Sequence, residues 1–176
     1  MRRSYHDGRA RVERPPSYDL RVKRPADLVR SLLTRERNAV LSTIERGSGG
    51  QPFGSLAPFA LSPAGDPVFL FSTISEHAKN LASDPRASLF VADSRARANP
   101  QAGARVTLLG RVAAPPPRAV RAERDAYLAR FPEAEEYLSA HRFRIFVLAV
   151  ERVRWIAGFG SMGWIAREEL LSAEQL

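Results

Sequence analysis

A chain of 176 residues, 44% of them apolar, is long enough for one domain with a substantial core and short for two. The absence of cysteine excludes disulfides, thiolate nucleophiles and cysteine metal sites, and the three histidines, at positions 6, 77 and 141, show no metal-ligand spacing. The net charge of +8 is concentrated at the front, where residues 1–24 hold eight cations against three acids; a basic, flexible arm over 1–24 and one domain over 25–176 are therefore expected.

No run of eighteen apolar residues is present, and "MRRSYHDGRARVERPPSYDL" has no hydrophobic segment fit for a secretory signal, so a cytoplasmic protein with no membrane partner is expected. The arm has no zinc finger, helix-turn-helix pattern or aromatic-rich RNA motif beside it. It reads as a solvated tail or a partner-docking arm, with no specific nucleic-acid role.

In chain order, "PADLVRSLLTRER" from Pro25 places Leu28, Val29, Leu32 and Leu33 on one helical stripe. "NAVLSTIER", "FGSLAPFAL" and "VFLF" read as strands joined by the turns "GSGGQP" and "SPAGDP", a meander of neighbours. A short helix follows over about 75–83, then the strand "ASLFVA", the loop "DSRARANPQAGA" and the strand "RVTLLGRVA", one face of which is polar. "PPPRAVRAERDAYLARF" is predicted as a helix with Val120, Tyr127, Leu128 and Phe131 on its inner side, and "PEAEEYLSA" as a second, short one. "FRIFVLAVE" and "RVRWIAGFG" read as two strands and "EELLSAEQL" as a closing helix. Six or seven short strands with small helices between them, and no alternating βαβα rhythm, predict a mainly β (α+β) fold, a closed or nearly closed antiparallel barrel with peripheral helices.

Chemistry concentrates in "LFSTISEHAKNLASDPRASLFV", residues 70–91, where two strands flank a helix start. Unpaired N–H groups and the helix dipole favour a phosphate there, Ser75 can bond an oxygen, and Lys79 lies one turn on. The ordinary alternative is that Ser75 or Thr73 is a plain N-cap, with Glu76 closing a capping box on Thr73 while His77 and Lys79 face water. Glu133, Glu135 and Glu136 read as a solvated helix start, and no nucleophile elbow is present.

The ordered blocks "PFGSLAPFAL", "PVFLFSTISEHAKNLASDPRASLFV", "RVTLLGRV" and "VERVRWIAGFGSMGWI" resemble the FMN-binding split-barrel family related to pyridoxamine 5′-phosphate oxidase. "EHAKN", "DPRASL", "VTLLGR" and "GFG" are similar to its haem-utilisation branch, and the likeness runs from about residue 26 to 165. It implies a six-stranded, Greek-key split barrel, a homodimer with its cofactor in the cleft between subunits, and an FMN-dependent oxidoreductase acting on a small substrate.

Residue by residue, the resemblance places the phosphate turn on Ser75, His77, Lys79 and Asn80, with Lys79 as the charge partner. Ser72 and Thr73 would edge the ribityl chain or ring, and Ser55, Leu56, Ala57 and Pro58 would lie along the isoalloxazine. Arg105 would meet phosphate or close the site from the partner subunit, or else be a solvated or dimer-bridging strand residue. Trp164 would be an aromatic wall, or else pack in core or interface. Ser55 stands where the vitamin B6 oxidases carry arginine, and "GFGSMGWIAREELL" replaces their substrate motif, so oxidation of that vitamin is not expected. The alternative function is haem binding or degradation on the same fold; since no histidine follows His141, His141 or His77 would have to serve the iron, His141 otherwise reading as a helix C-cap. An alternative of another class is a non-enzymatic module docking an acidic partner through the arm.

Overall fold

The computed structural model describes residues 24–47, 49–96, 98–139, 142–158 and 160–171. The arm over residues 1–23 and His141 lie outside the described residues. Helix α1 (Pro25–Arg35) buries Ala26, Val29, Leu32 and Leu33 on the stripe the spacing predicts, with Pro25 opening its first turn. After β1 (Asn38–Ile44) and β2 (Pro52–Pro58), a break at Phe59 gives a two-residue β3 (Ala60–Leu61) before β4 (Pro67–Ser72). Helix α2 (Glu76–Ser83) leads to β5 (Arg86–Ala92) and β6 (Ala104–Ala113), and α3 (Val120–Arg130) and α4 (Glu135–Ser139) lead to β7 (Phe143–Ala157). The chain then turns into β8 (Met162–Ala166) and α5 (Arg167–Leu171).

The strands are antiparallel in the order β2-β1-β5-β6-β7-β4-β3, with β8 added to β7. Because β3 continues from β2 through the fully buried Phe59, the path returns to where it began, which is the split barrel the sequence predicts. Phe59 N–H donates to the Arg37 carbonyl at 3.1 Å, holding that corner. The expected meander of the first three strands is corrected: β4 pairs with β7 over its length and meets the second segment only through β3. Eight strands replace six or seven: the second segment is split at Phe59 and Met162–Ala166 forms a strand of its own, while the last two expected strands join into β7. Val120, expected on the inner side of its helix, is exposed at the first position of α3, where the run of prolines before it keeps the chain from starting the helix sooner.

The core fills the barrel with Leu41, Phe69, Leu89, Val106, Leu108 and Leu148 among others. A second cluster lies outside the sheet, where Tyr127 of α3 and Phe131, just past its end, cover Ala60, Val68 and Ile145. The two expected strands near the end of the chain are one continuous β7 with a bulge: Leu109 pairs with Arg152 but the next residue, Gly110, pairs with Val150, leaving Glu151 as the extra residue. The bulge reverses the inside–outside phase of β7. Leu148 and Val150 point inward before it, and Val153, Trp155 and Ala157 after it.

Candidate functional site

Helix packing divides the outer surface of the barrel. The half formed by β3, β4 and the beginning of β7 lies under α3, whereas no described element covers the half formed by β2, β1, β5, β6, the end of β7 and β8. One cross-strand row runs the width of that open half: Leu56 opposite Val40, Val40 opposite Phe90, Phe90 opposite Thr107, Thr107 opposite Arg154, and Arg154 opposite Trp164. Its apolar members stand in water: Leu56 is 73% exposed, Trp164 52%, Val40 43% and Phe90 39%. Adjacent large apolar side chains on one open sheet face mark a binding or assembly surface.

One end of the row opens into a groove of about 470 Å³ whose floor includes Val40, Leu56 and Phe90 and whose rim includes Arg35, Arg37 and Ser94. The rim is stiffened by ion pairs, since Arg35 reaches both the buried Glu36 (3.2 Å) and the buried Asp93 (3.2 Å). At the other end the guanidinium carbons of Arg152 and Arg154 lie 4.8 and 5.7 Å from the centre of the Trp164 ring. Gly163 permits β8 to cross here, because a Cβ on it would stand 3.0–3.1 Å from the Trp155 indole.

The residues predicted to hold a cofactor are only partly brought together. On β2, Leu56 and Pro58 point outward and Ala57 into the core, while Ser55 is half-buried between them on the inner side. Arg105 lies on the outer face, where its Nη1 donates to the carbonyls of Gln101 (3.0 Å) and Gly103 (3.1 Å). Trp164 belongs to the row already described.

At the proposed phosphate turn Ser75 is the N-cap, accepting from Ala78 N–H at 3.4 Å while its hydroxyl donates to the Ser72 carbonyl at 2.7 Å. Exposed Thr73 donates its N–H to the Arg142 carbonyl at 2.7 Å. Lys79 pairs with Glu76 at 3.3 Å, and Arg46 approaches the same carboxylate at 3.6 Å. The Lys79 hydrogen bond, then the charges of Lys79 and Arg46, hold the Glu76 carboxyl below the usual carboxylate range. Asn80 is fully buried; its amide donates to Thr43 Oγ1 at 3.1 Å and accepts from Arg46 N–H at 3.1 Å. His77 packs its ring on Phe71, centres 4.3 Å apart, and burial lowers its pKa, favouring the neutral imidazole. A dianion at this turn would meet a carboxylate beside its intended lysine and a serine already engaged as a cap.

Sequence reasoning missed Val40, Phe90, Arg152 and Arg154. A signal existed for the first two, because "AVL" and "LFV" put apolar residues on both faces of their strands, the mark of a sheet covered on both sides.

A family model described as "CREG, beta-barrel" matches residues 21–172, nearly the whole chain. The chain belongs to the CREG β-barrel family. The family lies within the split-barrel group related to pyridoxamine 5′-phosphate oxidase. Among solved structures, a haem-binding protein from Mycobacterium smegmatis is 34% identical, with a TM-score of 0.78 over 84% of this chain and 60% of that one. A protein of unknown function from Agrobacterium tumefaciens is 28% identical, with a TM-score of 0.72 over 82% of this chain and 59% of that one. Among curated proteins, the chloroplastic non-canonical haem oxygenase HOZ of Arabidopsis thaliana is 29% identical over 154 residues, 85% of this chain and 47% of that protein. This CREG-family chain thus spans about half the length of the curated relative it matches. No described helix is long and apolar enough to cross a membrane.

Proposed function

We propose that this chain binds haem on the open outer face of its split barrel, in a site completed by a second copy of the chain. The observation that carries the reading is the row of exposed apolar side chains on that face, which suits a broad, flat, apolar ring and, around it, the same face of a partner. Similarity to a haem-binding protein and to a haem oxygenase supports the choice of ring. Leu56, Val40 and Phe90, on three adjacent strands, would hold the macrocycle. When bound, haem supplies an iron centre for dioxygen chemistry; the chain's part is to orient the ring and exclude water from it.

The flavin reading shares the fold and the dimer but has weaker support, because the turn that would take the FMN phosphate is neutralised by Glu76. Titrating the purified protein with haem and, separately, with FMN distinguishes the two. A saturable Soret shift with haem and no saturable spectral change with FMN is the expected outcome; saturation by FMN with no response to haem would reverse the assignment.

A further inference from the structure

Resting on the haem reading, we infer that Arg152 and Arg154 are specificity-determining residues that grip the two carboxylates of a dicarboxylate tetrapyrrole, with Trp164 as the plate that orients them. The bulge at Glu151 puts Arg152 and Arg154 on the outer face of β7. Opposite them, β8 presents the Trp164 ring, and both guanidinium groups lie over it. A guanidinium held over an indole by its charge keeps N–H groups that can donate to a further partner.

Charge pairing separates these two from many other arginines of the chain. Arg35, Arg86, Arg95 and Arg167 each hold a carboxylate, whereas among the described residues neither Arg152 nor Arg154 makes an ion pair. Two residues apart on one strand face, they stand about 6.6 Å from one another along the strand. Both guanidinium groups gather at one ring, 4.8 and 5.7 Å from its centre, so two donor forks are offered side by side, one for each of two carboxylates on separate arms of a ligand. Beyond Thr107 on the same row, Phe90, Val40 and Leu56 then receive the apolar body of the same ligand.

The test compares haem with haem dimethyl ester, which keeps the ring and iron but loses both negative charges, in one detergent buffer. Wild-type protein is expected to prefer haem by roughly tenfold or more, the order that charge-assisted hydrogen bonds supply. The Arg152→Gln, Arg154→Gln double variant is expected to lose that preference. Equal affinity of wild-type protein for both compounds, or a preference that survives in the double variant, overturns the proposal while leaving haem binding intact. Wild-type protein that binds neither compound overturns the haem reading itself.

Discussion

Asn80 separates what a residue type suggests from what its surroundings do with it. A polar residue one position after a lysine at a helix start invites a ligand, yet its amide is fully buried and joins α2 to β1 through Thr43 and the Arg46 N–H. Removing it takes a partner from both of those groups and leaves a small void, so Asn80→Ala is expected to lower unfolding stability by about 2–4 kcal/mol. Lys79→Ala removes only a surface ion pair and is expected to leave both the urea midpoint and haem affinity within error of wild type. Urea denaturation of the two variants checks this, and a larger loss in Lys79→Ala would show that its pairing had been misjudged. The sequence identified Ser75 as a possible cap, but it could not show that Glu76 would neutralise Lys79 rather than close a box on Thr73. That choice follows from where the helix starts: with Ser75 as its N-cap, Glu76 is the first helical residue, and a capping box needs its carboxylate at the third.

At the scale of elements, the bulge in β7 matters most, because it changes which side chains reach the open face. Gly110 makes it possible: a Cβ there would lie 2.1 Å from the Ala149 carbonyl oxygen. Gly110→Ala is therefore expected to cost more than about 2 kcal/mol, the upper range for forced overpacking. Gly54→Ala, whose Cβ would sit at an ordinary 3.6 Å from Val40, serves as the control and is expected to be nearly neutral. Thermal melts of the pair decide it, and equal melting temperatures would mean that the ladder tolerates a side chain at the bulge. The helices, and most strands, were legible because their apolar spacing is regular. The bulge was not, since Glu151 and Arg152 are consecutive polar residues that interrupt the alternation, so one strand reads as ending at Glu151 and another as starting at Arg152. Strand β8 was missed because residues 161–167 carry no predicted element between the last expected strand and the closing helix; Gly163 is small so that the strand can pass over Trp155.

For the whole molecule, closure of the barrel was predictable from the number and shortness of the strands, but its unequal covering was not. Whether an outward apolar side chain meets a helix or water depends on where α3 lands, and α3 lands over β4 and the first part of β7. The remaining half keeps Leu56, Val40, Phe90 and Trp164 exposed, and the account places both haem and the second subunit there. Leu56 tests this most cleanly, because at 73% exposure it contributes little to the fold of a single chain. The decisive measurement is a haem titration followed at the Soret band for wild type and Leu56→Glu side by side. The account predicts saturable binding by wild type and affinity at least roughly tenfold weaker in Leu56→Glu, as burying an unpaired carboxylate against the ring requires; equal binding by the two proteins would contradict it.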